Sequence, residues 1–162
     1  MKRASMLSLL CLGFAQMVCA AAVDAQVSVD FTKPEQFSDI GFTHAERERA
    51  LNAIKYHFER HASQLPAGSR LKIQVADVDL AGEIEPNFAG RSLRVMRGIT
   101  LPRLEFSYAL VVEGKSEERG EARITDLNYL SQHSLRDSNE PFRYEKELID
   151  RWFADQFPPR SK

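Results

Sequence analysis

The stretch Val75 to Pro86, VADVDLAGEIEP, sets four carboxylates, Asp77, Asp79, Glu83 and Glu85, around a single glycine, Gly82. Three kinds of chemistry suit such a run. The first is cation binding, because hard oxygen ligands hold calcium in loops of the form D-x-D-x-[DN]-G-x5-E. Asp77 falls on the first position, Asp79 on the third, Gly82 on the sixth and Ile84 on the apolar eighth, with Glu83 and Glu85 offering further oxygens. The fifth position is Ala81 and the twelfth is Phe88, so two ligands of that loop are missing. The second is acid–base work. At strand spacing Asp77 and Asp79 point the same way, and two carboxylates held close split their pKa values. A catalytic site also needs a third group and a pocket, and the sequence places neither. The third is structural, a strand that ends in a wet turn.

Strand parity favours the third. Leu71, Ile73 and Val75 share one side of a strand, and Asp77 and Asp79 continue that parity. Two buried, unpaired aspartates would cost several kcal/mol each. The register must therefore change near Ala76, by a bulge or a strand end, so that Val78 and Leu80 turn inward. The aspartates then face water, an arginine or free backbone amides, and Gly82 permits the turn. Asp77, Asp79 and Glu83 stand as the candidate metal ligands, and no catalytic residue is assigned.

Two histidines, His57 and His61, are four residues apart in a helical segment and share a face. The intervening order, His57-Phe58-Glu59-Arg60-His61, lacks the glutamate position of the zinc-protease motif. Zinc needs at least three protein ligands. His44 precedes the helix and His133 lies in a later loop, so neither supplies an evident third. His61 also continues the apolar stripe, which fits a histidine at the core edge. Arg91, Arg94, Arg97 and Arg103 crowd one region. They read as solvating a sheet edge, with one of them pairing with Asp77 or Asp79. No serine–histidine–aspartate order, phosphate loop or nucleotide fingerprint is visible, and no cofactor is implied.

The elements that position these residues can be read from periodicity. Val27 to Phe31 alternates apolar and polar, as a half-buried strand does. Thr43 precedes Glu46 by three, a capping-box spacing, and opens a helix running to about Leu65 with Leu51, Ile54, Phe58 and Leu65 on one stripe. Leu71 to Val75 is a strand, and another follows at Leu93 to Met96. Leu104, Phe106, Tyr108, Leu110 and Val112 recur at period two. Gly114 to Gly120 reads as a charged turn, with a returning strand over Ala122 to Leu130. Pro141 marks the first turn of a closing helix that carries Leu148, Ile149, Trp152, Phe153 and Phe157 on one side. The fold class is α+β, a mostly antiparallel sheet of about four or five strands with two helices on one face.

Several segments together resemble a known family. They are the early strand ending in Phe31, Glu46-Arg47-Glu48-Arg49, Leu65-Pro66, Asp77-Val78-Asp79-Leu80-Ala81-Gly82, Arg94-Val95, Tyr144-Glu145-Lys146 and Trp152-Phe153. The pattern resembles the exported bacterial proteins of domain-of-unknown-function family 3016. The resemblance covers nearly all of the chain after its first residues. It implies export and a single domain, and it carries over no mechanism.

The N-terminus agrees with export. Lys2 and Arg3 precede an uncharged run with Leu7, Leu9, Leu10, Leu12 and Phe14, and small residues follow. This is the layout of a secretory signal peptide. Processing before Ala21 or before Gln26 fits, and the second is preferred because strand-like sequence begins at Val27. The expected organisation is a signal peptide over 1–25 and one α+β domain over 26–162. Removal would take away both cysteines, Cys11 and Cys19, so the core must hold without disulfides. It would also remove Lys2, Arg3 and Asp24, moving the net charge from −1 to −2. With so little net charge, bulk electrostatics attract neither nucleic acid nor an acidic polymer. A location in the periplasm or outside the cell is expected, with no membrane span after cleavage. The expected function is a non-enzymatic accessory or binding module for an envelope protein or small ligand. The alternative is a metal-dependent or acid–base hydrolase using Asp77 and Asp79.

Overall fold

The computed structural model describes residues 24–86, 92–131 and 139–158. Six strands and two long helices follow one another as β1 (Gln26–Phe31), α1 (His44–Arg60), β2 (Arg70–Asp79), β3 (Glu83–Pro86), β4 (Ser92–Val95), β5 (Arg103–Val111), β6 (Glu118–Thr125) and α2 (Arg143–Gln156). The fold is α+β, as expected. Its main sheet has the order β1-β2-β5-β6, and β3 and β4 form a separate two-stranded ribbon. The strand expected near Leu93 belongs to that ribbon.

The main sheet is mixed. β2 pairs antiparallel with β5, and β5 with β6. β1 runs parallel to β2, from Gln26 opposite Arg70 to Phe31 opposite Val75. Parallel neighbours need a long crossover, and α1 supplies it. Thr43 opens α1 through the expected capping box: its Oγ1 accepts from Glu46 N–H at 3.2 Å, and Glu46 Oε2 accepts from Thr43 N–H at 2.9 Å. The helix stops at Arg60, and a 3-10 turn over His61–Gln64 completes the segment up to the buried Leu65.

Both helices cover one face of the sheet. Leu71, Ile73 and Val75 of β2 and Leu104, Phe106 and Leu110 of β5 point into the same core as Ile54, Phe58, Ile149, Trp152 and Phe153 from the helices. Lys72, Gln74 and Ser107 lie exposed on the opposite face. Aromatic edges and faces lock the layers: Phe58 meets Phe106 at 5.3 Å, and Phe106 meets Trp152 at 4.9 Å.

β2 contains the irregularity that parity required. Val75 pairs with Phe106 and Asp77 with Glu105, so Ala76 is an extra residue in the ladder. After this bulge Val78 and Leu80 are buried, while Asp77 and Asp79 stay partly exposed.

Candidate functional site

Beyond β1 the chain makes a short 3-10 turn over Pro34–Gln36 and returns along the end of β2. Asp39 N–H donates to Val78 O at 3.1 Å, and Leu80 N–H donates to Asp39 O at 3.0 Å. This one-residue parallel bridge sets Asp39 beside Asp79. Together with the start of β3 and the Ile99–Leu101 turn, these residues bound an open cleft of about 600 Å³.

Each carboxylate at this end of the sheet has a different environment. Asp77 accepts from Ser38 N–H (2.7 Å), Ser38 Oγ–H (2.7 Å) and Arg103 Nη2–H (3.0 Å). Burial opposes its ionisation, but these donors outweigh burial and its pKa is lowered. Asp39 is gripped by two Arg94 nitrogens at 2.8 and 3.0 Å and also accepts from Gly41 N–H at 3.0 Å. Asp79 has less support. Among the described residues its ion pair is with Arg103, at 3.3 Å, on the same guanidinium nitrogen that serves Asp77. Burial is the main reason its pKa is raised; the neighbouring Asp39 and Asp77 add to the rise, and Arg103 and Arg94 oppose it.

The sequence candidates are thus separated in role. The cation standing between Asp77 and Asp79 is the Arg103 guanidinium. Glu83 lies at the start of β3 and lines the cleft with Asp79, whereas Asp77 is not part of its lining. Of the four arginines, Arg103 holds Asp77 and Asp79, Arg94 holds Asp39, and Arg97 pairs with Glu85. Arg91 lies outside the described residues.

The cleft is acidic with an apolar rim. Glu35, Asp39, Asp79 and Glu83 face it. Its arginine, Arg47, is tied to loop carbonyls, donating to Gly41 O and Phe42 O at 3.2 and 2.9 Å. Phe42 and Ile99, 69% and 87% exposed, stand at its edge.

The frame behind the cleft is tightly built. Arg94 Nη1 also donates to Gly82 O at 3.1 Å and Ala81 O at 3.3 Å. Ala81 N–H donates to the buried Glu145 Oε1 at 2.7 Å. Gly82 has φ +78°, and a Cβ there would lie 2.6 Å from Val95 O, so both conformation and space demand glycine.

His57 and His61 occupy the other end of α1. Their third partner is Asp150 of α2: His57 Nε2 and His61 Nε2 lie 2.7 and 2.8 Å from the same Asp150 Oδ1. His44 pairs with Glu48 at 3.5 Å on the exposed start of α1; His133 lies outside the described residues. Asp39 and Asp150 are carboxylates that sequence reasoning passed over, as it did Glu35, Phe42 and Ile99 of the cleft. Asp39 sits in an irregular loop with no periodicity. Asp150 precedes Phe153 by three, which puts it at the edge of the stripe that meets α1, and that spacing is the signal that could have found it.

An α+β sheet with a carboxylate cleft at one end of β2 defines a class of architecture and no activity. The model of the family described as protein of unknown function (DUF3016) matches residues 25–155, and the chain belongs to that family. No curated protein matches the chain. Among the described residues no helix is long and apolar enough to cross a membrane.

Proposed function

We propose that the protein is exported to the periplasm or beyond and acts there as a non-enzymatic binding module, its cleft taking a cationic ligand with an apolar part, such as a basic, aliphatic peptide segment. The export reading rests on the signal-peptide-like first 25 residues. The binding reading rests on one observation: Asp79, a carboxylate held by a single shared arginine, faces a roomy acidic cleft rimmed by exposed Phe42 and Ile99. A ligand ammonium or guanidinium placed against Asp79 would relieve the crowding of its charge by Asp39 and Asp77. The rim would cover an apolar side chain.

The test uses a Lys-Leu-Lys-Leu peptide titrated into the purified protein and followed by amide NMR shifts. Shifts centred on Asp79, Phe42 and Ile99, weakened about tenfold in affinity by Asp79→Asn and reduced by salt, support the reading. Shifts spread over the surface, or unchanged by Asp79→Asn, overturn it. Recovery of the protein from the cytosol and not from an osmotic-shock fraction would overturn the export half.

The raised pKa of Asp79, which lines the cleft, also favours a second reading, acid–base hydrolysis with Asp79 as the acid. Asp77 takes no reacting role in it, since its oxygens serve Ser38 and Arg103. Turnover of ester or peptide libraries that disappears in Asp79→Asn would favour this form over simple binding.

A further inference from the structure

We propose that His57, His61 and Asp150 form a site for one divalent transition-metal ion of the zinc class, held by three protein ligands with its remaining position open to solvent.

Both histidines lie at the C-terminal end of the α1 segment, and their spacing of four stacks them on one face. They are buried, 6% and 8% exposed, so packing fixes their rotamers. His61 lies flat on Phe153, 4.2 Å away with 11° between the planes. Asp150 reaches in from α2 and places one oxygen against both Nε2 atoms. One ligand atom from each of the three residues lies within 4.8 Å of the others. The site is therefore assembled by helix packing, with little ordering left for an ion to impose.

The donor set decides the class of ion. Two imidazoles and one carboxylate suit zinc, cobalt or nickel, whereas calcium and magnesium prefer shells of oxygen. Ligand atoms around tetrahedral zinc are roughly 3.3 Å apart, given bonds of about 2.0 Å. The present 2.7 and 2.8 Å contacts must open by about half an ångström, roughly the difference between a hydrogen bond and a coordination edge. Asp150 can supply that movement, because its side chain is 46% exposed. The same exposure leaves the last coordination position facing water.

The hydrogen-bond geometry constrains the tautomer of a neutral ring. A carboxylate accepting from both rings requires each neutral imidazole to carry its proton on Nε2. An ion replaces that proton, and the neutral ring then holds it on Nδ1. His61 Nδ1 is buried without a hydrogen-bond partner among the described residues, so its N–H would lack an acceptor there. Zinc ligands usually have that second-shell partner. The site is accordingly expected to bind in the micromolar range, well short of a structural zinc finger.

The site stands apart from the cleft. About 15 Å of helical rise separates Arg47 from His57, so failure of either proposal leaves the other intact.

Chelator-stripped protein, titrated with zinc against a chromophoric competitor, tests the proposal. A 1:1 stoichiometry is expected, and cobalt in place of zinc should give the visible band of a tetrahedral site. His57→Gln and Asp150→Asn should each lower zinc affinity by at least about tenfold, with helical content unchanged in the circular dichroism spectrum. His44→Ala should leave affinity as it was. Imidazole NMR on the unmodified protein supplies a readout free of any folding effect: the His57 and His61 Nε2 resonances should move with zinc and stay put with calcium. Absence of zinc uptake at about 100 µM, unmoved Nε2 resonances, or loss of binding in His44→Ala would each overturn the site.

Discussion

Replacing Asp77 by alanine removes three hydrogen bonds at once. Ser38 N–H and Oγ–H and Arg103 Nη2–H all lose their shared acceptor. Bonds to a charged group contribute about 1.5–3 kcal/mol each when well shielded. Ser38 is at the surface, where water takes over as acceptor, so each bond is better set at about 1 kcal/mol. Asp77→Ala should therefore lose about 2–3 kcal/mol at pH 7. For a chain of this size that is a fall in Tm of very roughly 6–12 °C. Because the folded-state pKa of Asp77 is lowered, its contribution is present above the unfolded value, near 3.8, and is lost as pH falls through the folded value. The wild type and Asp77→Ala should thus converge in acid. Urea unfolding at pH 7 and at about pH 3 measures both quantities. A cycle with Ser38→Ala should give a coupling of about 1 kcal/mol, the share of the Oγ bond. A loss under about 0.5 kcal/mol at pH 7, or one that persists unchanged in acid, would refute the idea that Asp77 pins the loop to the bulge.

Two further outcomes follow from the neighbouring carboxyl groups. Asp79 has a raised pKa, so its effect on stability has the opposite sign: full below about 3.8 and declining as pH rises through its folded value. Asp79→Asn should leave stability at pH 7 within about 0.5 kcal/mol of wild type or above it, and a loss resembling that of Asp77→Ala would show that Asp79 is also a strut. Glu145 is buried with its pKa raised by desolvation, against the pull of Ala81 N–H, Arg94 and Arg143. Glu145→Gln, which keeps an acceptor for Ala81, should gain on wild type as pH climbs above 4.5, whereas Glu145→Ala should lose at least about 2 kcal/mol by orphaning that amide; thermal melts across pH read both, and a Gln variant that melts below wild type at every pH contradicts the assignment.

What could be read from the sequence was local. Thr43 and Glu46 announce α1 because a capping box is a contact within four residues. The bulge at Ala76 was legible because two aspartates could not follow Val75 into the core at the cost of their charge. Other features were hidden for definite reasons. β3, Glu-Ile-Glu-Pro, has one apolar residue and a proline, so it looks like a turn until β4 pairs with it. β6 begins at Glu118 within a charged stretch, because an edge strand is solvated along much of its length. The expected strand was therefore placed several residues too late. The direction of β1 leaves no trace in its own alternation; only its partner makes it parallel. Asp39 and Asp150 enter their clusters through contacts across 55 and 89–93 residues of chain, which periodicity cannot report.

Three of the segments on which the family resemblance rests, Asp77 to Gly82, Arg94-Val95 and Tyr144-Glu145-Lys146, meet in space, and their contacts divide the stretch Asp77 to Gly82 into frame and site. Gly82 closes on Val95 O, Arg94 ties Asp39 to the Ala81 and Gly82 carbonyls, and Glu145 holds the Ala81 amide. Asp77 secures the loop that carries Asp39. Each of these groups has short, specific partners, so each is committed to holding shape. Asp79 is placed by the same frame yet shares its cation with Asp77 and faces the cleft. A fold that secures so many neighbours around one weakly satisfied carboxylate bears a cost there that packing does not repay. Residues under that condition are where a ligand gains the most by supplying the missing partner. Substitutions in the frame should accordingly register as lost stability, and substitution of Asp79 as lost binding with the fold retained. A variant set in which Asp79→Asn unfolds the protein while Arg94→Gln spares it would reverse this division and move the search for a ligand away from the cleft.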